Sequence, residues 1–522
     1  MFVVVGSGPA GVACAMALLD RGQQVQMLDV GITLEPDKER LLEPLKTQPR
    51  EAWSDEALAL LRSGTQPRTS GLQLKLAYGS DYAYQSAERE LGIERERVAC
   101  VPSFARGGMS NVWGASMLPY RDDDMVDWPI RAADLAPHYR AVLSFVPHSA
   151  VSDRLEAMFP SYSSTGEAVP SSPQAIALLR DLEASASRLG RQGVTFGRSR
   201  LAVDPQCIRC GLCMYGCPRH LVFNSATTLA RLVTRPGFTY TPGVIVERVR
   251  ESGSQVVIEA RAALGGERRT FHAGRVLLAC GPLSTTRIVL ASLEAYDREV
   301  VMHDSQYYLL PLLRYRSTRG FDAEPAHTLA QVFLELVDPG LSPYSVHVQL
   351  YSYNDLYVRV FEGMLGRARG LLPHLPLRPL LGRMWIAQGY LHSSDSPGIA
   401  AVLTRPDARG RSRMLLRATD SPGTPARVRR VVRKLWSLRD SLRMAPLAPM
   451  VRLGDAGQGY HVGGAFPMRA RPGPFQSDVL GRPSGFERVH LVDSTTFPSI
   501  PASTVTFTVL ANAHRIGAEV AA

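Results

Sequence analysis

The chain has 522 residues, a formal net charge of +11 and a pI of about 9.4. Its hydrophobic (45%) and charged (20%) fractions are those of a folded globular protein, and its length predicts two or three domains. The basic residues are scattered, without an uninterrupted run or interleaved aromatics, which argues against nucleic acid as a partner. No uncharged apolar run reaches 18 residues and no export signal is recognised, so we expect a cytoplasmic protein without a membrane span.

The first predicted elements form a strand–turn–helix–strand unit. Residues 2–5 are a short apolar run that predicts a buried strand, and residues 10–19 predict a helix. Between them lies the glycine-rich turn GSGPAG at 6–11, and a second predicted strand at 24–28 ends beside Asp29. This order is typical of a dinucleotide-binding fold, in which a helix N-terminus meets a pyrophosphate.

Residues of this turn have separate tasks in such a fold. Gly6 permits the tight turn, Gly8 lets the backbone approach the pyrophosphate, and Gly11 lets helix and strand pack closely. The Asp29 carboxylate can accept hydrogen bonds from ribose hydroxyls. FAD and NAD share the ADP half that this motif binds, so the motif alone leaves both cofactors open.

Further segments continue the pattern along the chain. A second glycine-rich stretch, ARGGMSNVWGASM, occupies 105–117, where small residues let the backbone run close to a flat ligand. Alternating strands are predicted at 237–249 and 254–264. The stretch 274–292 predicts an apolar strand, a glycine turn and a helix.

Three other segments complete the set: VDWPIRAADLAPHYRAV at 126–142, HVGGAFPM at 461–468 and LVDSTTFPSIP at 491–501. Together these stretches resemble the glucose–methanol–choline (GMC) family of flavin oxidoreductases. The resemblance is nearest to its sugar and alcohol dehydrogenase branch with a cysteine-rich, iron–sulfur segment. The matches occur in the family's order along nearly the whole chain, and the stretch at about 300–450 matches least.

The resemblance implies FAD as the cofactor and an α/β fold of GMC architecture. A Rossmann-like FAD-binding domain would comprise 1–125, 195–300 and 455–522. A discontinuous α+β substrate domain, built on an antiparallel sheet, would comprise 126–194 and 301–454. The implied partner is a small-molecule substrate, which the catalytic base would meet over the flavin ring.

The resemblance also implies where the cofactor contacts lie. It places Asp29 on the adenosine ribose, Val246 beside the adenine and Asp493 near the ribityl–pyrophosphate region. The predicted cofactor-binding residues are Gly6, Gly8, Pro9, Ala10, Gly11, Asp29, Gly107, Gly108, Ser110, Asn111, Val246, Gly281 and Asp493.

The predicted catalytic residue is His461, which stands at the position of the family's active-site histidine. Histidine suits proton transfer because its ordinary pKa lies near neutrality. The family usually has a second His or Asn, and here Thr504 is the best match to that position. A threonine hydroxyl orients a substrate but does not act as a base near neutral pH, so alcohol oxidation competes with desaturation or double-bond reduction.

Four cysteines, Cys207, Cys210, Cys213 and Cys217, follow the spacing CxxCxxCxxxCP within the loop 207–218. This spacing is typical of an iron–sulfur cluster, either 4Fe-4S or 3Fe-4S. Zinc and structural thiols or a disulfide are the alternatives. A cluster near a flavin would pass single electrons to an acceptor protein, which favours a dehydrogenase over an oxidase.

The middle of the chain carries two further features. The stretch 363–385 mixes Leu, Met and Trp with arginines and prolines, and we expect either a surface loop or peripheral contact with the inner membrane face. Residues 425–440 predict an amphipathic helix with a basic face.

The sequence therefore predicts an FAD-dependent dehydrogenase that oxidises a CH–OH group of a sugar-like or hydrophobic metabolite, with electrons leaving through an iron–sulfur cluster. The alternatives are an FAD and iron–sulfur enzyme with a non-alcohol redox reaction, and an electron-transfer or binding protein whose active site has lapsed.

Overall fold

A computed structural model describes residues 1–63, 75–163, 166–322, 326–354, 380–408 and 410–521 of the chain. Its strands are β1 (Phe2–Val5), β2 (Val25–Leu28), β3 (Ile93–Glu96), β4 (Val194–Arg198), β5 (Phe238–Thr241), β6 (Val244–Ser252), β7 (Gln255–Ala262), β8 (Arg268–Ala273), β9 (Arg275–Leu278), β10 (Glu299–Asp304), β11 (Tyr307–Arg314), β12 (Val332–Leu336), β13 (Val346–Tyr351), β14 (Met384–Tyr390), β15 (Ile399–Leu403), β16 (Met414–Ala418), β17 (Met444–Pro446), β18 (Arg452–Leu453), β19 (Val462–Gly463) and β20 (Val489–Leu491). Its α-helices are α1 (Pro9–Leu19), α2 (Pro36–Thr47), α3 (Asp55–Leu61), α4 (Ala87–Leu91), α5 (Ala132–Val142), α6 (Pro173–Ala184), α7 (Ala186–Arg191), α8 (Ser225–Leu232), α9 (Pro282–Ser292), α10 (Gly423–Ser437), α11 (Arg439–Leu442) and α12 (Thr506–Val520).

The parallel sheet carries the N-terminal glycine turn. Its strand order is β20–β9–β1–β2–β5, and Val5 lies in register with Leu28 and Leu278, so these strands end at one edge. Helices on the sheet explain why its strands are continuous apolar runs instead of alternating ones. Helix α1 follows the turn at once: a Cβ on Gly11 would lie 1.9 Å from the carbonyl oxygen of Gly6, so only glycine allows this approach.

The antiparallel sheet, ordered β17–β11–β14–β13–β12–β4 with β18 on β11, forms a wall opposite the parallel sheet's cavity edge. Its side chains alternate between two faces. Tyr308 and Trp385 pack with Leu435 of α10 in one buried cluster, whereas Tyr307 and Tyr390 belong to a different cluster. One face of the sheet therefore packs on α10, and the other carries a second buried cluster, some of whose residues line a cavity.

A mixed sheet, ordered β19–β10–β15–β16–β3, joins the two halves. Strand β19 begins directly after His461 and pairs with the end of β10, where Val462 lies opposite Asp304. A second antiparallel sheet, β6–β7–β8, follows β5 along the chain. The backbone around His461 is thus fixed by strand pairing to β10.

The predicted domain segments can be compared with these sheets. All five parallel strands fall within 1–125, 195–300 and 455–522. The boundary between 194 and 195 falls inside β4, which pairs with β12 in the antiparallel sheet. The mixed sheet takes strands from both predicted domains.

The predicted basic helix at 425–440 corresponds to α10 and the short α11. Its apolar stripe, Val428, Val431, Leu435 and Leu438, is buried against the antiparallel sheet. Most of the stretch 363–385 lies outside the described residues; only 380–385 is described. Among the helices that the structure describes, none has the length and apolar character needed to cross a bilayer.

Candidate active site

Two adjoining cavities lie one beside the edge of the parallel sheet and the other against the antiparallel sheet. The first, of about 220 Å³, follows the edge where β1 ends and reaches Val246. The second, of about 330 Å³, lies against the antiparallel sheet and contains His461. Four residues line both cavities: Pro9, Met109, Tyr460 and Thr506. The two cavities are therefore adjacent, and together they are called the cleft below.

The backbone around Gly8 is shaped to receive a ligand. Gly6 has φ of +99°, which turns the chain from β1 into α1, and a Cβ there would lie 2.7 Å from the carbonyl oxygen of Ala279. A Cβ on Gly8 would meet no atom within 4 Å, so the backbone is bare on its cavity side. The N-terminus of α1 begins at the next residue, Pro9, and favours an anion there. This geometry fits a pyrophosphate.

Asp29 lies at the end of β2 and lines the first cavity. Its Oδ2 accepts hydrogen bonds from the Ser7 hydroxyl and from the Tyr240 hydroxyl at 3.0 Å. Burial raises the pKa of Asp29 to about 6, and the two hydroxyl donors act in the opposite direction. Backbone N–H groups of Ser7 and Val30 also favour the charged carboxylate, which borders the first cavity and can accept a ribose hydroxyl there.

Asp493 also borders the first cavity, but both its oxygens have protein donors. Oδ2 accepts from the backbone N–H of Gly281 at 2.9 Å and from the Thr285 hydroxyl. Oδ1 accepts from the backbone N–H of Thr495 at 2.9 Å. Burial raises the pKa of this carboxyl. Asp493 therefore holds two turns that shape the cavity, and this role needs no direct bond to a ligand.

The second glycine-rich stretch contributes unequally to the cleft. Gly108 lines the first cavity and Ser110 lines the second, whereas Gly107 and Asn111 line neither. Asn111 donates from Nδ2 to the carbonyl oxygens of Arg106 at 3.0 Å and Gly108 at 2.7 Å. Gly107 and Asn111 thus stabilise the turn that presents their neighbours.

The remaining predicted cofactor residues divide in the same way. Val246, Gly281, Pro9 and Ala10 line the first cavity. Gly11 lines neither cavity, because it is packed against the carbonyl of Gly6.

His461 faces the second cavity from the segment before β19. Its ring stacks on Tyr390, with centroids 4.7 Å apart and planes 20° apart. Nδ1 is buried without a hydrogen-bond partner among the described residues. Burial, and to a smaller extent the nearby His347, lowers the pKa of His461 to about 3, so the imidazole is neutral at pH 7. A neutral imidazole can accept a proton.

Thr504 lines the same cavity as His461. Its Oγ1 accepts a hydrogen bond from the backbone N–H of Leu118 at 2.7 Å, which leaves the hydroxyl hydrogen to be donated. The neighbouring Ser503 hydroxyl is buried and does not line either cavity. The structure thus brings together the two residues that the sequence singled out.

Tyr460 occupies the junction of the two cavities. It has φ of +57°, a conformation that is uncommon for a bulky residue, and it lines both cavities. Its hydroxyl is buried without a partner in the described part of the chain. Strained backbone of this kind is concentrated at functional sites.

Sequence analysis missed much of the second cavity's polar lining. Gln349 on β13 and Gln388 on β14 lie in register on its sheet wall, next to Tyr351 and Tyr390. Lys75 also lines it. The alternation in VHVQLY places Gln349 and Tyr351 on one face, which was a usable signal; nothing around Lys75 resembles a motif.

Lys75 is the cation of the second cavity. Its Nζ donates to the carbonyl oxygen of Trp113 at 2.8 Å. Burial lowers the pKa of Lys75 to about 8, and the nearby Cys213 and Cys217 act in the opposite direction. The amine therefore stays protonated at pH 7.

The predicted metal site is not assembled in this structure. Within the described residues, which include all four cysteines of the loop, no group of three or more metal-ligating side chains is placed to hold an ion. Cys207 and Cys213 belong to one apolar cluster, whereas Cys210 packs against another. Burial raises the pKa of Cys207 and of Cys210 to about 12 and favours neutral thiols. All seven cysteines are free, so the disulfide alternative is not realised either.

The fold was compared with known proteins. No protein-family profile matches the sequence, and no curated protein matches it. Among solved structures, the chain is similar to pyridoxine 4-oxidase from Mesorbium loti, with a TM-score of 0.59, 14% identity, and 99% of this chain and 98% of that chain covered. It is also similar to formate oxidase, with a TM-score of 0.58, 12% identity and coverage of 99% and 97%.

A third similar structure is an FAD-dependent oxidoreductase from Chaetomium thermophilum, solved with a bound fragment, with a TM-score of 0.59, 13% identity and coverage of 99% and 98%. Similarity at these identities concerns the fold. The predicted α/β fold of GMC architecture, with its parallel and antiparallel sheets, is confirmed over the full length of the chain.

Proposed function

We propose that the chain is an FAD-dependent oxidoreductase of GMC type that oxidises the CH–OH group of a small molecule. The observation that carries this proposal is that the glycine turn at Gly8, which fits a dinucleotide, borders a cavity adjacent to the one that contains His461, whose Nδ1 has no hydrogen-bond partner among the described residues. Three structures of the same fold are named as oxidases or as an FAD-dependent oxidoreductase, which supports a flavin as the cofactor.

The residues of the first cavity fit the ADP half and the dinucleotide linkage of FAD. The bare backbone at Gly8 and the start of α1 would receive the pyrophosphate. The Asp29 carboxylate would accept a ribose hydroxyl, and Val246 would contact the adenine. When bound, FAD supplies an acceptor for the two electrons and the hydrogen that leave the substrate carbon as hydride.

Side chains of the protein take up the proton that leaves the substrate hydroxyl. His461 accepts the hydroxyl proton of the substrate at Nε2 while a C–H bond breaks at the carbon that bears this hydroxyl, so the alcohol becomes a carbonyl. Stacking on Tyr390 fixes the plane of the imidazole. The Thr504 hydroxyl donates a hydrogen bond to the substrate oxygen and orients it, because its oxygen already accepts from Leu118. The proton on His461 then returns to solvent.

Replacement of His461 tests the proposal. The wild-type protein is purified anaerobically, its FAD content is measured, and reduction of the flavin absorbance is followed with a panel of alcohols. We expect His461→Ala to retain FAD and to reduce it more slowly by a factor of about 10² to 10⁴, the range of general-base catalysis. His272→Ala, at an exposed position on β8, is the control and should match the wild type. Unchanged reduction in His461→Ala would remove the proposed base.

A non-alcohol redox reaction is the second candidate, and Thr504 favours it because it replaces the family's second His or Asn. In that case no alcohol would reduce the wild-type flavin, whereas a desaturation substrate or an activated double bond would exchange electrons with it. If FAD binds but no substrate exchanges electrons, the third candidate applies: a protein that retains the fold and has lost the activity.

An iron–sulfur cluster on the loop 207–218 and a one-electron acceptor protein are separate proposals. The spacing of the four cysteines supports the cluster, and backbone N–H groups donate to Cys207 Sγ at 3.4 Å and Cys217 Sγ at 3.3 Å. In the described residues, the cysteine side chains of this loop are not arranged to hold a metal ion, so no step above depends on a cluster. Iron and labile-sulfide assays on anaerobic protein test it, and cell fractionation tests the cytoplasmic location and membrane contact.

A further inference from the structure

The second cavity contains a cation without a counter-ion. Lys75 is partly buried, and its ammonium group donates to the carbonyl oxygen of Trp113, a neutral acceptor. In the described residues no carboxylate lies within ion-pair distance of it, and no Asp or Glu lines this cavity. A partly buried charge is costly unless it is paired. The site therefore favours a ligand that brings the missing negative charge.

A second donor lies on the same wall. Gln349 accepts hydrogen bonds at Oε1 from the Ser116 hydroxyl at 3.2 Å and the Tyr351 hydroxyl at 3.0 Å. Its Nε2 has no hydrogen-bond partner among the described residues, and the residue lines the cavity. Lys75 is attached to Trp113 and Gln349 to Ser116, three residues further along the same cavity wall. Both groups therefore face the same cavity and are available to an anionic ligand.

This end of the cavity is separate from the proton-accepting end. Gln349 lies opposite Gln388, and Tyr390, which stacks on His461, lies two residues further along β14. Two residues of a strand span roughly 7 Å. A ligand group bound at Gln349 and a hydroxyl at His461 would therefore be separated by several bonds.

We infer that the alcohol oxidised in the proposed reaction also carries a carboxylate, which Lys75 binds as an ion pair and Gln349 as a hydrogen-bond donor. This inference rests on the proposed function for the oxidised group. Among the described residues Lys75 is the only lysine or arginine that lines the cavity, so a monoanion matches its charge, whereas a phosphate dianion would leave a buried negative charge in excess.

Binding of two isosteric probes tests the inference without turnover. The probes are 4-methylbenzoate and 4-methylbenzamide, which have no alcohol group, titrated calorimetrically into the FAD-containing protein. We expect the carboxylate to bind about tenfold or more tightly than the amide, since charged hydrogen bonds are the stronger ones. Lys75→Met should abolish that preference while leaving the FAD content unchanged.

Lys38→Met is the matched control. Lys38 also donates to a backbone carbonyl, that of Gly79 at 2.7 Å, but it has Glu35 nearby and lines neither cavity. It should leave the preference for the carboxylate intact. Equal binding of the two probes by the wild type, no measurable binding of either, or an unchanged preference in Lys75→Met would overturn the inference.

Two further results distinguish this inference from a role of Lys75 at the cysteine loop and from the proposed alcohol oxidation. If Lys75 serves the thiols of Cys213 and Cys217, Lys75→Met would change their rate of reaction with a disulfide reagent and leave probe binding unchanged, which overturns the inference. If 4-(hydroxymethyl)benzoate fails to reduce the flavin although the probe preference depends on Lys75, the anion site stands and the proposed alcohol oxidation fails for this substrate.

Discussion

The two halves of the cleft are built in different ways. At its Gly8 end the first cavity is shaped by backbone: Gly6 and Gly8 lie within one short turn, and Gly11 is packed directly beneath. The second is shaped by side chains from distant segments, among them Lys75, Gln349 and His461. A backbone cradle tolerates little change in any residue that lines it, whereas a side-chain wall can change its specificity one residue at a time.

The largest effect is expected at the cradle. Gly8→Ala adds a methyl group that meets no protein atom, and the backbone at Gly8 has an ordinary φ of −66°, so the fold should be retained. The same methyl would occupy the space proposed for the pyrophosphate. We expect FAD affinity to fall by about a hundredfold or more, measured by fluorescence titration of the FAD-free protein.

The control for Gly8→Ala is Gly190→Ala in α7, where an added Cβ also meets nothing within 4 Å. It should bind FAD like the wild type. Equal FAD affinity in the two variants would show that the turn at Gly8 does not bind the cofactor. It would contradict the claim that this end of the first cavity is a backbone binding site.

The pH dependence of flavin reduction tests the side-chain half. Burial lowers the pKa of His461 to about 3, so the neutral base is fully present from pH 5 upward. We expect the rate to change less than about twofold between pH 5 and 7.5. A histidine at its ordinary pKa of about 6.5 would lose about thirtyfold over that range. A loss of that size would show that His461 is not desolvated as the structure indicates.

The smallest effect concerns Asp304, which lies beneath the His461 segment, opposite Val462. Burial raises its pKa to about 7 in the folded chain, above the ordinary value of about 3.8. Because the folded state keeps this proton longer than the unfolded state, Asp304 costs stability increasingly as pH rises from about 4 to 7. Asp304→Asn should therefore gain stability relative to the wild type over that range, by more than about 1 kcal/mol at pH 7.

Denaturant unfolding of both proteins at pH 5 and pH 7.5 measures this difference. The important quantity is its change with pH, because any packing effect of the substitution is present at both values. A difference that stays constant would mean that Asp304 is ionised throughout, and that the segment carrying His461 rests on a charged group.

The same contrast explains what the sequence could predict. The turn at 6–11 was predictable because strand, turn, helix and acid follow one another within 30 residues. His461 and Thr504 were found through a family resemblance, and the structure places both in one cavity. Lys75 and Gln388 were not found, because only the folding of distant segments brings them to that cavity.

The cysteine loop shows the limit of spacing as a signal. Its intervals predict a cluster; in the structure the thiols are close enough to raise one another's pKa, but Cys210 packs against a different apolar cluster from Cys213 and the described side chains form no metal-binding group. Asn111 and Gly107 also belong to a predicted cofactor motif, but both stabilise its turn without lining either cavity. Motif membership predicts the neighbourhood of a residue better than its contacts.

A crystal structure with bound FAD would test the central proposal most directly. We predict the flavin ring at the junction of the two cavities, bordered by Met109 and Tyr460, with Nε2 of His461 facing it across the space for a substrate. A ring bound elsewhere, or one separated from His461 by protein atoms, would contradict the account.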